Sequence, residues 1–366
     1  MKNKKILFLS GTRADFGKLK SLINISQQSS LFDVSIFVTG MHLQKEYGYT
    51  VNEIKKSGFK NIHTFENHTA ESSMDLTLSK TIEGLSAHIK GNKPDLIVVH
   101  GDRVEALAGA IVGSLNNILV GHIEGGEVSG TIDELIRHSV SKMSHIHFVS
   151  NLEAKNRLIQ MGELESSVFE IGSPDIDIMF SPHLPTIEKA KNHYEIPFEK
   201  YALFMFHPVT TESEHIEKQV NELIDAVLED KHNYVVIYPN NDMGSSIIIK
   251  AISKLENNKR FKIFPSLRFE YFLTFLKNCQ FIIGNSSAGV REAPYYQKPS
   301  IDLGNRQKNR AKSKSILSCN FDKKEIVDTI KLRKSLKNVG VHRDFGKGKS
   351  NQLFYEIIKE ISFWDI

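Results

Sequence analysis

The sequence predicts an α/β protein built from two doubly wound domains with parallel sheets. Three observations support this. Short apolar runs alternate with longer amphipathic stretches, the alternation pauses once between residues 172 and 200, and polar or glycine-rich residues follow most of the runs. Apolar runs that lack strict alternation and are separated by helices are typical of strands buried on both faces of a parallel sheet.

Five of the apolar runs lie in the first half of the chain, and each is predicted to be a strand. Two amphipathic stretches between them, residues 71–91 and 132–144, are predicted to be helices. The five strands are KILFLS (5–10), VSIFVTG (34–40), DLIVVHG (95–101), ILVGHI (118–123) and IHFVS (146–150).

The segment 172–200 contains four of the ten prolines and few strand signals, which indicates a connection between domains. We therefore expect one domain over 1–177 and a second over 182–348, with an amphipathic last helix (350–366) packing back on the first. Five strands are predicted in the second domain: YALFMFHP (201–208), NYVVIYPN (233–240), FKIFPS (261–266), QFIIGNSS (280–287) and PSIDLG (299–304).

The composition is that of an ordinary globular protein, and 366 residues can bury a sizeable core. The net charge of +4 does not indicate the clustered basic face of a nucleic-acid-binding protein. Two cysteines, Cys279 and Cys319, cannot form a disulfide framework and suit a reduced compartment. No stretch reaches the roughly 20 apolar residues of a membrane span, and the first apolar run is too short for a secretory signal. We therefore expect a soluble, cytoplasmic protein that binds neither nucleic acid nor membranes.

Polar loops follow the predicted strands in both halves of the chain. In doubly wound sheets, ligands bind beyond the carboxyl ends of the strands. The loops therefore predict one cleft between the two domains, lined from both sides. They include GTRADFGK, HGDR and GHIEGGE in the first half, and HPVTT, PNND, GNSS and LGNR in the second.

The segment from Ile118 to Ser150 contains the densest group of ionisable side chains. Asp102, Glu124 and Asp133 follow strands or begin a helix, and carboxylates near cations suit acid–base chemistry. The neighbouring cations and histidines are Arg103, His122, Arg137 and His138. A metal site is disfavoured because the chain has no HExxH motif and no cysteine ligand pair. Asp133 alone would also fit a carboxylate paired with a helix dipole.

The turn GTRADFGK (11–18) resembles a phosphate loop but departs from it. Five residues instead of four separate its glycines, and Leu19 stands where a magnesium-binding hydroxyl belongs. Two interpretations stay open: the backbone amides and Arg13 bind an anion, or the segment is a tight turn with a solvated arginine.

Three candidates in the second half also have ordinary explanations. Ser286 and Ser287 precede a predicted helix, so they suit either diphosphate binding or a helix N-cap. His207 ends a strand before a proline, and it lies either in the cleft or on the surface. Asn240 in YPNND is either a ligand contact or a turn residue.

Taken in order, these motifs resemble the UDP-N-acetylglucosamine 2-epimerase family, and especially its hydrolysing branch, which forms N-acetylmannosamine for sialic acid synthesis. The resemblance runs over nearly the whole chain. It implies two Rossmann-like domains in the GT-B arrangement, with the active site in the inter-domain cleft. The motifs are HGDR (100–103), HIEGGEVSGTIDELIRH (122–138), HPVTT (207–211), PNND (239–242), GNSSAGVRE (284–292) and LGNRQ (303–307).

The resemblance implies a UDP-sugar substrate, no cofactor and no metal, and a homo-oligomer, either a dimer or a tetramer. It implies acid–base roles for Asp102, Glu124 and Asp133, and a role for His207 at the leaving diphosphate. The implied phosphate contacts are Arg13, Arg103, Ser286 and Ser287. The implied contacts to the uridine or its ribose are Asn240, Glu292 and Arg306, and the residues implied at the sugar are His122, Arg137 and His138.

Four alternatives stay open at this point. A relative within the family would either return UDP-N-acetylmannosamine without hydrolysis or act on a UDP-linked 2,4-diacetamido sugar of the legionaminic acid pathway. Outside the family's chemistry, the same fold suits a GT-B glycosyltransferase or a nucleotide-sugar-binding protein without turnover. Three carboxylates in one site argue against a protein that only binds an anion.

Overall fold

The computed structural model describes residues 3–68, 73–129, 132–310, 313–336 and 344–365. The chain forms two compact units. The first comprises Met1–Glu127, Asp133–Ser181 and Asp344–Ile366, and the second comprises Val128–Ile132 and Pro182–Arg343.

The first unit is built on a parallel sheet of seven strands. These are β1 (Lys4–Ser10), β2 (Phe32–Val38), β3 (Ile62–Thr64), β4 (Leu96–His100), β5 (Leu119–Ile123), β6 (Ile146–Val149) and β7 (Val168–Glu170), in the order β3-β2-β1-β4-β5-β6-β7. The helices are α1 (Arg13–Gln28), α2 (Val51–Lys56), α3 (Met74–Gly91), α4 (Val104–Leu115), α5 (Ile132–Lys142), α6 (Leu152–Gln160) and α7 (Pro174–Met179). The predicted helix positions 71 and 72 lie outside the described residues.

The second unit is built on a parallel sheet of six strands. These are β8 (Ala202–Met205), β9 (Tyr234–Ile237), β10 (Phe261–Phe264), β11 (Ile282–Gly284), β12 (Ser300–Leu303) and β13 (Ile316–Cys319), in the order β10-β9-β8-β11-β12-β13. Its helices are α8 (Ile187–His193), α9 (Ile216–Glu229), α10 (Ser245–Ile252), α11 (Phe269–Asn278), α12 (Ser287–Val290), α13 (Glu292–Tyr295) and α14 (Lys323–Leu332). Among the described residues, no helix is both long and apolar enough to cross a lipid bilayer.

Each sheet reverses its winding direction once, between β1 and β4 in the first unit and between β8 and β11 in the second. This strand order is that of a Rossmann-like sheet, in which ligands bind beyond the carboxyl ends at the reversal. The predicted fold class of two doubly wound, Rossmann-like domains is therefore confirmed. Ligand-binding residues are therefore expected directly after β1, β4, β8 and β11.

All ten predicted strands overlap strands of the structure, but three further strands were not predicted. β3, β7 and β13 each lie at an edge of a sheet. They are only three or four residues long and partly exposed. An edge strand has a neighbour on one side only, so its sequence need not be a continuous apolar run.

The last helix, α15 (Ser350–Ile358), packs on the first sheet. The Phe354 ring is fully buried, with its centroid 4.8 Å from that of Phe148 and 6.4 Å from that of Phe8. The Asp177 carboxylate accepts hydrogen bonds from the backbone N–H groups of Ser350 and Asn351, at 2.9 and 2.8 Å. These contacts anchor the end of the chain to the first unit.

We expect Phe354→Ala to destabilise the first unit by about 3–5 kcal/mol, because it removes a buried ring and leaves a cavity. Urea unfolding followed by the fluorescence of Trp364, the only tryptophan, measures the change. Leu353→Ala is the matched control, since that neighbouring side chain is 44% exposed. Equal midpoints for the two variants would show that the helix does not depend on this contact.

Candidate functional site

A buried group of charged side chains surrounds Glu124 at the carboxyl ends of β1, β4 and β5. The Glu124 side chain is only 3% exposed. Its Oε2 lies 3.3 Å from the Lys18 Nζ and 3.2 Å from the His100 Nε2. The Ser173 hydroxyl donates a hydrogen bond to Oε1. Cationic and hydrogen-bonding partners of this kind compensate for the loss of water around a buried carboxylate.

The backbone after β5 directs Glu124 into this cluster. The Glu124 N–H continues the ladder by donating to the Phe148 carbonyl at 2.9 Å. Glu124 then adopts a φ of +64°, in the left-handed region that a non-glycine residue rarely occupies. Gly126 follows with a φ of +77°, and a Cβ there would lie 2.4 Å from the Ala154 carbonyl oxygen. The glycines of HIEGGE therefore permit the turn that presents the carboxylate.

A second cluster joins Asp102, which follows β4, to helix α5. Arg137 is 1% exposed and donates a hydrogen bond to the Asp102 carboxylate. Its Nη1 also donates to the Glu127 carbonyl at 3.3 Å. Asp133 lies one helical turn before Arg137, so the two side chains share a face of α5. The structure thus pairs Asp102 with Arg137, and Asp133 lies on the face of α5 that carries this arginine.

His122 lies inside the fold and not at its surface. The ring Nε2 is 2.8 Å from the Gly101 carbonyl and Nδ1 is 3.0 Å from the Ser141 hydroxyl. The carbonyl can only accept, so Nε2 carries the proton and Nδ1 accepts from Ser141. Burial lowers the pKa of His122 to about 3. A direct contact with a sugar was expected, but this position favours a role in holding the loop after β4.

The other two predicted basic residues of this region are partly buried. Arg103 immediately precedes α4, and its Nε lies 3.3 Å from the Glu105 carboxylate. His138 on α5 lies 3.8 Å from Glu134 one turn earlier, and burial lowers its pKa. Their predicted contacts with phosphate and sugar stay predictions.

The turn after β1 is a capped helix start. The Thr12 side chain accepts from the Asp15 N–H at 3.1 Å, and the Asp15 carboxylate accepts from the N–H groups of Gly11 and Thr12 at 3.2 and 2.9 Å. This is a capping box. These two amides already have a carboxylate partner, which favours the tight-turn interpretation of this segment. Arg13 pairs with Glu53, and its predicted contact with phosphate stays a prediction.

Four residues of the Glu124 cluster were not predicted as site residues: Lys18, His100, Ser173 and Asp175. His100 and Lys18 stood within quoted motifs, but nothing in their spacing indicated Glu124 as their partner. Ser173 and Asp175 lay in the segment interpreted as a connection between domains. Their burial is the property that distinguishes these two residues from an ordinary connection between domains. Burial cannot be seen in the sequence, which shows only that the segment is rich in proline.

In the second unit, one asparagine organises the ends of β8 and β11. Asn285 accepts from the His207 N–H at 2.7 Å and donates to the His207 carbonyl at 2.8 Å. The Asn240 N–H donates to Nδ1 of the His207 ring at 3.0 Å. Because a backbone N–H can only donate, the neutral ring carries its proton on Nε2. His207 is thereby oriented as a donor, and Asn240 acts on it through its backbone.

The Asn285 backbone carbonyl also binds side chains of the loop after β12. It accepts from Arg306 at 3.3 Å and from Gln307 at 3.1 Å. Ser286 caps α12, since its hydroxyl accepts from the Ala288 N–H, which agrees with the N-cap interpretation. Ser287 is half-buried and Glu292 is buried. Asn285 and Gln307 were missed, although both stand inside the quoted motifs.

Within the described residues, no group of three or more histidine, cysteine, aspartate or glutamate side chains is placed to hold a metal ion. The chemistry available at the strand ends is that of carboxylates, a lysine, arginines and histidines. These groups can move protons and bind anionic or hydroxyl-bearing ligands.

The fold and these sites define a two-domain, doubly wound α/β protein with acid–base groups at the strand ends. Comparison with known proteins identifies the family. A family model described as UDP-N-acetylglucosamine 2-epimerase matches residues 24–359. The chain belongs to the UDP-N-acetylglucosamine 2-epimerase family of enzymes, as its motifs indicated.

Three curated relatives and one solved structure illustrate the similarity. The UDP-N-acetylglucosamine 2-epimerase of Neisseria meningitidis serogroup B is 44% identical over 366 residues, covering 99% of this chain and 97% of that protein. The hydrolyzing UDP-N,N'-diacetylbacillosamine 2-epimerase of Legionella pneumophila is 33% identical, covering 98% and 96%. Polysialic acid biosynthesis protein P7 of Escherichia coli is 33% identical, covering 92% and 88%.

The crystal structure of Methanocaldococcus jannaschii UDP-GlcNAc 2-epimerase in complex with UDP-GlcNAc and UDP has a TM-score of 0.84 to this chain. The match covers 97% of this chain and 99% of that one at 22% identity. This similarity supports the fold.

The buried ring of His122 should make the protein sensitive to acid. Its pKa is about 3 in the fold and about 6.5 in an unfolded chain, so between these values unfolding takes up a proton. The stabilisation is complete above about pH 6.5 and is lost as the pH falls toward 3. In His122→Asn, the fall in unfolding free energy between pH 6 and 4 should be shallower by up to about 1.4 kcal/mol per pH unit. Urea unfolding at several pH values measures it, and equal slopes would show that the native ring titrates normally.

Proposed function

We propose that this chain is a hydrolysing UDP-N-acetylglucosamine 2-epimerase, which converts UDP-N-acetylglucosamine and water to UDP and N-acetylmannosamine. The observation that carries the proposal is the buried Glu124 carboxylate beside Lys18 and His100, with Asp102 paired to Arg137. Two relatives add support: the Legionella protein is named as hydrolyzing, and the Escherichia protein is named for polysialic acid biosynthesis. We infer that the product serves sialic acid synthesis in the cytoplasm.

The proposed reaction has two steps. In the first, the bond from C1 to the diphosphate oxygen breaks and UDP leaves with the bonding electrons, while a carboxylate takes the C2 proton. The product is 2-acetamidoglucal, with a double bond between C1 and C2. In the second, water adds its hydroxyl to C1, and a proton reaches C2 from the face that gives the manno configuration. The C2 hydrogen has no adjacent carbonyl to acidify it, so cleavage at C1 must lead, and carboxylates stabilise the charge that builds there.

The residues of each unit suit different parts of this reaction. Glu124, Asp102 and Asp133 are proposed to exchange the protons at the sugar. The Nε2–H of His207 is proposed to donate to the leaving diphosphate, because its Nδ1 is held by the Asn240 N–H. The proposed phosphate contacts are Arg13, Arg103, Ser286 and Ser287, and the proposed nucleotide contacts are Asn240, Glu292 and Arg306. Arg137 and His138 are proposed at the sugar, and the assembly is proposed to be a homo-oligomer.

A second candidate substrate is a UDP-linked 2,4-diacetamido sugar. The Legionella relative is named for such a sugar and is similar over 98% of this chain. The Neisseria relative, named for UDP-N-acetylglucosamine, has the higher identity, 44% against 33%. We therefore rank UDP-N-acetylglucosamine first.

Turnover in deuterated water with excess EDTA tests the reaction, followed by proton and phosphorus NMR. We expect free UDP and N-acetylmannosamine that carries deuterium at C2. Deuterated UDP-N-acetylmannosamine without free UDP would indicate the non-hydrolysing reaction. Retention of the C2 hydrogen would exclude elimination and favour a glycosyltransferase. No reaction with UDP-N-acetylglucosamine, but turnover of the diacetamido sugar, would select the second substrate.

Asp133→Asn should lower kcat by about 10²–10⁴-fold, because an amide cannot accept or return the proton. UDP affinity, measured by calorimetry, should stay within about twofold since no phosphate contact is lost. Glu134→Gln, at the next position of α5, is the matched control and should keep more than about a tenth of wild-type kcat. A near-normal kcat in Asp133→Asn would remove this residue from the mechanism.

A further inference from the structure

Asp175 is a fully buried carboxylate that the proposed reaction does not use. It lies in the first turn of α7 and is 0% exposed. Its Oδ2 is 3.5 Å from the Lys18 Nζ, and the same ammonium is 3.3 Å from the Glu124 Oε2. One buried cation therefore lies between two buried carboxylates.

The charges of these three groups do not cancel. When Glu124 and Asp175 are both ionised, one ammonium faces two negative charges in the interior. Carboxylates that share a site raise each other's affinity for a proton. Lys18 and the Ser173 hydroxyl act in the opposite direction on Glu124, because both favour its charged form. Asp175 thus adds a second negative charge beside the ammonium that Glu124 contacts.

Further titratable groups lie near this cluster. His100 contacts Glu124 at 3.2 Å and approaches Asp15 at 3.9 Å. His122 on β5 is buried and neutral. Burial raises the pKa of Asp177, and the charge of Asp175 raises it further, while hydrogen bonds from the N–H groups of Ser350 and Asn351 oppose this.

We propose that Asp175 is a positioning residue for Glu124: it holds the Lys18 ammonium in place, and its negative charge raises the proton affinity of Glu124, so that this carboxylate can hold a proton during one step of the cycle. An acid–base group works best when its proton affinity suits the operating pH. Elimination takes a proton from one face of C2 and hydration returns one to the opposite face, so each acid–base group has to hold a proton during one part of the cycle and be ionised during the other. The catalytic part of this inference rests on the proposed function, whereas the electrostatic part does not.

Carbon-13 NMR of protein labelled at the glutamate carboxyl carbon tests the electrostatic part directly. Glu124→Gln identifies the Glu124 signal, and its titration midpoint is then followed in two variants. Asp175→Asn keeps the shape and removes a negative charge, so the midpoint should fall by about one pH unit. Lys18→Met removes the positive charge, so the midpoint should rise by a similar amount. Asp177→Asn, on the same helix, is the control and should shift it less.

The same variants are then assayed for UDP release from UDP-N-acetylglucosamine. In a plot of kcat against pH, the acidic limb should move to lower pH in Asp175→Asn and to higher pH in Lys18→Met. KM should stay within about twofold of wild type. An unchanged Glu124 midpoint in Asp175→Asn would overturn the proposal and leave Asp175 a packing residue. If that variant does not fold, Asp175→Ser removes the same charge and decides the question. A wild-type protein without turnover would instead refute the proposed function, while the titration would still decide the role of Asp175.

Discussion

Burying the carboxylate of Glu124 requires compensating groups from several separate segments of the first unit. Lys18 comes from α1, His100 from the end of β4, and Ser173 from the start of α7. A charged group removed from water is stable only when such partners are in place. The sheet order brings these segments together, because β1 and β4 are neighbours at the reversal of winding and β5 lies next to β4. The burial of Glu124 in the first unit therefore depends on the sheet order that brings its compensating partners together.

Neutral histidines hold together loops at the strand ends of the first unit. His42 lies 3.0 Å from the Ser10 hydroxyl and 2.6 Å from that of Thr50, and burial lowers its pKa to about 3. His122 joins the Gly101 carbonyl to Ser141 in a similar way. A neutral imidazole can donate at one nitrogen and accept at the other, so it links two loops without adding another buried charge. In the second unit, Asn285 has the corresponding place, since its amide binds the His207 backbone on both sides.

The positions where sequence and structure differ share one cause. The missed strands β3, β7 and β13 are edge strands, which are short and only partly buried. The amides of Gly11 and Thr12 looked available for an anion, but Asp15 on the first turn of α1 already binds them. The family resemblance implied a sugar contact for His122, but its ring pairs with the Gly101 carbonyl and the Ser141 hydroxyl. Pairing with other segments of the chain decided where each of these side chains lies.

The sequence by itself determined the class of fold, ten of the thirteen strands that the structure describes and the family, because hydrophobic periodicity and long motifs are local properties of the chain. It also indicated Asp102, Glu124 and Asp133 as carboxylates at strand ends or at a helix start. Only the tertiary structure decided which groups surround them. Lys18 and Asp175 are separated by more than a hundred residues, and neither spacing nor composition records that they share one buried site with Glu124. Contacts of this kind depend on the sheet order and on burial, and these exist only in the folded protein.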